Sequence, residues 1–246
     1  MAIVDKNGLR FDTAHCDKEP KHFCVFEYIY FARPDSVIDG ASVSQCRQRA
    51  GGFLAKEHPV DADIVIGVPD SGLEAAIGYS YESGIPYAIG FTKNKYIART
   101  FITPGQGSRE AGVGIKLNPI REIVKDKRVV LIDDSIVRGT QLRETTEFLY
   151  NSGAKEVHVR PACPPLLFGC KYLNFSRSTS EMELIARQVI SEEEGENVSR
   201  TILDDYANPD SDRYAAMVEK ICRRQHFTTL AFNRLDDLVE ATGLDE

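Results

Sequence analysis

Residues 128–141 read RVVLIDDSIVRGTQ, and no other stretch restricts the fold of this chain so tightly. Val129 to Ile132 are apolar, mostly β-branched and without alternation, the pattern of a strand buried on both faces of a parallel sheet. Asp133 and Asp134 then stand at the carboxyl end of that strand, where open α/β sheets place their ligands. From Gln141 to Tyr150 the spacing is helical, so backbone N–H groups and a helix dipole face whatever binds there. Gly139 lets the backbone approach phosphate oxygens, Ser135 and Thr140 bring hydroxyls, and Arg138 brings a charged fork. A phosphate is the expected ligand. A strand end with an Asp cap would account for one acid and one hydroxyl, but not for two acids followed by Arg-Gly-Thr.

A Walker loop is excluded, because no Gly-Lys-Ser/Thr follows the strand. The acids precede the phosphate turn, an order that suits a sugar phosphate: ring hydroxyls bond to the carboxylates and the phosphate sits on the helix N-terminus. The run VVLIDDSIVRGT resembles the phosphoribosylpyrophosphate-binding motif of type I phosphoribosyltransferases, and its DDSIVRGT form is most similar to that of the amidophosphoribosyltransferase family. Residues 26–40, FEYIYFARPDSVIDG, resemble the start of the transferase domain of the same family.

The resemblance implies an α/β protein of the type I phosphoribosyltransferase fold, a central, mostly parallel sheet flanked by helices with a long flexible lid loop. It implies that Asp133 and Asp134 hold the ribose hydroxyls, directly or through Mg²⁺. It assigns Ser135, Ile136, Val137, Arg138, Gly139 and Thr140 to the 5-phosphate loop, and Pro69, Asp70, Ser71 and Gly72 to the pyrophosphate loop. Ser71 joins Asp133 and Asp134 in coordinating Mg²⁺, and Lys93, Lys95, Tyr96 and Arg99 reach the anion from the lid. Cys24 and Cys170 fall where iron–sulfur members have their first two ligands to a 4Fe–4S cluster, but the Cys-x-x-Cys that completes the set has no counterpart here. The implied reaction is phosphoribosyl transfer from phosphoribosylpyrophosphate to ammonia, the first step of purine synthesis. Residues 1–10 resemble the last turn and strand of a glutaminase domain, so free ammonia is the expected nitrogen source unless a glutaminase chain or domain supplies it. A homo-oligomer inhibited by purine nucleotides is implied as well. Two alternatives stay open: a nucleobase salvage phosphoribosyltransferase, and a non-catalytic module that senses phosphoribosylpyrophosphate.

Taken in order, residues 1–22 read as a lead-in segment, with a strand at Ala2 to Val4 and an Asp-Lys-Asn-Gly turn. The transferase domain is expected over 23–190 and a helical C-terminal extension over 191–246. Val43 to Glu57 has helical spacing with Ser42 or Ser44 as its cap. Asp63 to Val68 is a second buried strand that ends in Pro69-Asp70-Ser71-Gly72 and feeds a small-residue helix reaching Ser83. Tyr87 to Phe91 predicts a third strand. From Lys93 to Lys116 no apolar period persists and glycines recur, as in a mobile lid. Strands are expected at Glu156 to Arg160 and Phe227 to Phe232. Helices are expected from Ser180 to Val189, Tyr214 to Arg224 and Arg234 to Ala241, and Ser191 to Asp212 reads as an acidic linker or exposed turn.

Composition supports a small anionic ligand. The formal charge is −7 across 246 residues, which argues against nucleic acid as partner, yet residues 93–116 hold five basic side chains and one acid. No run approaches the roughly 20 apolar residues of a membrane span and no signal segment opens the chain, so a cytoplasmic location is expected. The six cysteines are dispersed, which favours thiols or metal ligands over a disulfide framework.

Overall fold

The computed structural model describes residues 1–14, 23–93, 117–170 and 181–244. The first element is an antiparallel hairpin of β1 (Ala2–Asp5) and β2 (Gly8–Phe11). Its turn is closed by the Asn7 amide donating to Asp5 Oδ1 at 2.7 Å. A π-helical turn over Glu27–Phe31 buries Tyr28 and Ile29. Two short strands, β3 (Val37–Ile38) and β4 (Ala41–Ser42), lead into α1 (Val43–Glu57). Of the two serines that could cap α1, Ser42 does so, accepting from the Gln45 amide.

The centre of the fold is a parallel sheet. Its strands are β5 (Ile64–Gly67), β8 (Arg128–Asp133), β9 (Glu156–Pro161) and β10 (Thr229–Leu230), in spatial order β10-β9-β8-β5. All three pairings are parallel, with Ile66 beside Leu131 and Leu131 beside Val159. Val129, Val130, Leu131 and Ile132 are fully buried, and alternate residues serve opposite faces. Val130 and Ile132 pack with Leu54 and Ala55 of α1 and with Ala75, Ala76 and Tyr79 of α2 (Leu73–Ser83). Val129 and Leu131 pack on the other side, with Leu142 and Leu149 of α4 (Thr140–Asn151). Burial on both faces removes the polar alternation that a half-exposed strand would show.

Helices α1 and α2 meet through glycines. A Cβ on Gly51 would stand 1.9 Å from the Ala75 carbonyl oxygen, and one on Gly78 would stand 1.8 Å from that of Gln48. The helix backbones therefore touch directly, which brings α2 and the turn before it down onto the strand ends.

Three expectations are corrected. The strand expected at Tyr87 to Phe91 is not one central strand. Tyr87 makes a lone parallel bridge to Val65, and β6 (Phe91–Lys93) forms a separate antiparallel ribbon with β7 (Leu117–Pro119). Gly90 sits hard against Ile66, where a Cβ would be 2.7 Å from its side chain, and from there the chain leaves the sheet. After β7, the single turn α3 (Arg121–Val124) returns the chain to β8.

The acidic linker expected over Ser191 to Asp212 is also corrected, because it is largely helical. Helix α5 (Ile185–Glu194) reaches into its start, and α6 (Arg200–Ala207) buries Leu203 and Tyr206. Its acids face the bases of α7 (Asp212–Arg224): Glu192 accepts from Arg224 at 2.6 Å, Glu194 pairs with Arg213 at 3.2 Å, and Lys220 pairs with Glu193. A division at residue 190 would cut α5. The strand expected over Phe227 to Phe232 shortens to the two residues of β10, which completes the central sheet, and the chain continues into α8 (Leu235–Thr242).

Candidate active site

Two strand ends build the site. At the end of β8, the Asp133 carboxylate accepts from the backbone N–H of Asp134 at 2.9 Å. At the end of β5, the chain turns through Pro69, Asp70, Ser71 and Gly72, with a cis Pro69–Asp70 peptide. Gly72 lies against β8 so closely that a Cβ would be 2.5 Å from the Ile132 carbonyl oxygen. Only glycine fits there, and the contact delivers Ser71 to the aspartates. Asp134, 9% exposed, accepts on Oδ1 from the Ser135 hydroxyl at 2.6 Å and on Oδ2 from the Ser71 hydroxyl.

Burial pushes both carboxyls up, and Asp133, raised well above the usual carboxylate range, is pushed further by the neighbouring Asp134 charge. Hydrogen bonds from Ser135 and Ser71 and the nearby Arg47 guanidinium oppose the rise at Asp134. Two repelling carboxylates and a hydroxyl, partly shielded from water, fit a hard divalent cation. Ser71, Asp133 and Asp134 would hold it. When bound, such a cation would neutralise negative charge on a phosphate-bearing ligand. Replacing Ser71 with Ala is expected to raise the Mg²⁺ needed for half-maximal turnover about tenfold, the scale of one hydrogen bond to a charged group. Affinity for ribose 5-phosphate should change less than about twofold; equal losses in a binding titration would remove Ser71 from the metal.

The second turn starts α4. Gly139, at φ +81°, takes the left-handed conformation that opens the helix N-terminus. A Cβ there would be 2.7 Å from both Ile185 and the Gln225 side-chain amide, so the turn rests on α5 and on the residue that ends α7. Val137 offers its carbonyl to the Ile185 amide at 2.9 Å.

The phosphoribosyl transferase domain family matches residues 44–163, which contain both turns and both aspartates. The amidophosphoribosyltransferase of Methanocaldococcus jannaschii is 53% identical over 175 residues, 71% of this chain and 37% of that protein. The one from Archaeoglobus fulgidus is 52% identical over 194 residues, covering 79% and 42%. Residues 44–163 form a domain of the phosphoribosyl transferase family, similar to that of amidophosphoribosyltransferases. A solved B. subtilis glutamine phosphoribosylpyrophosphate amidotransferase, complexed with ADP and GMP, superposes with a TM-score of 0.74 at 39% identity over all of this chain and 48% of that one. A solved allosteric regulatory enzyme of purine biosynthesis gives the same TM-score and identity, with 47% of its length covered. This chain thus spans less than half the length of the relatives it matches.

Within this phosphoribosyl transferase domain, Asp133, Asp134 and Ser71 come together, as do Lys93 and Asp70, while Arg138 is engaged elsewhere. Ile136 is a core residue at 3% exposure, so only its backbone can face a phosphate. Arg138 is paired with Glu183, and Lys93 with Asp70. Lys95, Tyr96 and Arg99, with the rest of the expected lid over 94–116, lie outside the described residues. Cys24 and Cys170 are exposed, Cys46 and Cys163 are buried, and the Cys222 thiol lies 3.4 Å from the Phe227 carbonyl. Among the described residues no group of three or more His, Cys, Asp or Glu side chains is gathered. No helix among the described residues is long and apolar enough to cross a membrane. Sequence reasoning missed Arg47 and Glu74, which pair at 3.6 Å behind the start of α2, and Gln225, which lies against Gly139. They sit at ordinary helical positions, so no local signal marks them.

Proposed function

We propose that this chain transfers the phosphoribosyl group of phosphoribosylpyrophosphate to ammonia, giving 5-phosphoribosylamine and pyrophosphate. The observation that carries this reading is the convergence of Ser71 with Asp133 and Asp134 beside a glycine-opened helix N-terminus. A donor anchored there by its 5-phosphate at 135–140 presents its ring hydroxyls to the aspartates and its pyrophosphate to the 69–72 turn. The residues bind and orient. Attack at the anomeric carbon breaks the bond to pyrophosphate through a cation-like transition state, and holding the departing anion in place while excluding water lowers that barrier. Ammonia carries its own lone pair, so no strong general base is required. The amidophosphoribosyltransferase relatives support this acceptor over a nucleobase, and the ADP and GMP bound to the B. subtilis enzyme support purine nucleotides as further ligands.

The test is pyrophosphate release in the presence of ammonium chloride, glutamine, adenine, guanine or uracil. Ammonium alone should support turnover. At fixed total ammonium the rate should climb roughly tenfold per unit between about pH 7 and 8.5, because NH₃ is the nucleophile and ammonium keeps its proton to about pH 9. Turnover only with a base would make this a salvage enzyme. Binding of the donor without turnover on any acceptor would make it a sensor.

A further inference from the structure

Arg47, on α1, is a buried cation whose charge also favours the ionised form of Asp134. Its side chain is 5% exposed. Nε donates to the Tyr28 carbonyl at 2.7 Å, and one terminal nitrogen donates to the Ala32 carbonyl at 2.8 Å. Both acceptors belong to the π-helical turn and its C-cap, where helix carbonyls lack partners and the dipole is negative. The other terminal nitrogen stands 3.6 Å from Oε2 of Glu74, in the first turn of α2, and that buried oxygen has no hydrogen-bond partner. Arg47 and Ser71 also line one small cavity, together with Tyr28, Ile29 and Ala75. A buried ion pair of this kind is seldom more stable than apolar side chains of the same volume. Stability alone therefore does not explain it.

We infer that Arg47 is a positioning residue for the pyrophosphate turn, tying the first turn of α2, through Glu74, to the backbone of residues 28–32. This rests on the phosphoribosylpyrophosphate reading and gives the aromatic FEYIYFARPDS segment a function there. The segment is a fixed platform whose carbonyls hold the guanidinium, and the guanidinium holds the helix that carries Ser71 and Gly72. The 5-phosphate turn is supported separately, by Ile185 and Gln225. Loss of Arg47 therefore acts chiefly on the pyrophosphate half of the donor.

The experiment titrates full-length protein in Mg²⁺ with pyrophosphate and, separately, with ribose 5-phosphate, and records melting temperatures. Arg47→Met should weaken pyrophosphate about tenfold or more while ribose 5-phosphate stays within about twofold, the scale expected for a group displaced from its binding geometry. Arg47→Lys, which keeps the charge but reaches fewer partners, should recover part of that loss. Glu74→Gln, close in shape, should weaken pyrophosphate by about threefold and serves if Arg47→Met does not fold. Equal weakening of both ligands, or unchanged pyrophosphate binding in all three variants, overturns the inference. If the wild-type chain binds neither ligand, the donor reading itself fails and the inference with it.

Discussion

Replacing Asp133 with Asn should abolish turnover and at the same time stabilise the metal-free protein. The carboxyl is part-buried beside a second carboxyl, and both conditions penalise its charged form. An amide keeps the acceptor for the Asp134 N–H and removes the charge. Because the folded-state pKa is raised, the native protein holds this proton more tightly than the unfolded chain. The wild type consequently loses stability as pH rises from the unfolded carboxyl value toward the folded one. In EDTA the variant should match the wild type below about pH 4 and exceed it by about 1 kcal/mol or more at neutral pH, a common size for relief of functional strain. Turnover in Mg²⁺ should fall at least about a hundredfold, since a lost cation ligand removes several kcal/mol of charge stabilisation. Thermal melts at several pH values and a pyrophosphate-release assay check both halves. A variant that melts lower at neutral pH would make Asp133 a structural residue.

Gly78→Ala should be among the most destabilising single-methyl changes in this chain. The added carbon would meet the Gln48 carbonyl oxygen at 1.8 Å, and that oxygen belongs to a helix backbone that cannot swing aside. Helices α1 and α2 must separate, which lifts α2 and the Ser71–Gly72 turn from the strand ends. A cost of about 3 kcal/mol, the upper part of the overpacking range, corresponds to a melting temperature lower by about 6–12 °C at this size. Gly52→Ala is the control on the same helix pair. Nothing lies within 3.9 Å of its added carbon, so it should stabilise α1 by about 0.5–1 kcal/mol through helix propensity. Equal effects of the two substitutions in a thermal melt would contradict direct backbone contact at Gly78.

The site was legible in the sequence where its chemistry lies along a few consecutive residues. Asp133, Asp134 and the turn to Thr140 follow one another directly, and a buried parallel strand has a pattern of its own. Pro69 to Gly72 was legible for the same reason. The acidic stretch from 191 to 212 misled because charge was read as solvation, whereas Glu192, Glu193 and Glu194 meet Arg224, Lys220 and Arg213 across an interhelical seam. The strand expected at 87–91 misled because the ladder stops after a lone bridge from Tyr87 to Val65, and the chain passes over Ile66 at Gly90.

The sequence by itself determined the strand that ends in two acids, the two turns that follow strands, and the family to which such turns belong, because each depends on neighbours within about a dozen residues. Tertiary structure alone decided that Ser71 donates to Asp134, 63 residues away. It also decided that Gly72 must be glycine because of a carbonyl on another strand, and that Arg47 spans the gap from Tyr28 to Glu74. Those choices depend on distances between segments that meet only when the sheet closes, and a linear pattern carries no information about which backbone oxygen a side chain will find there.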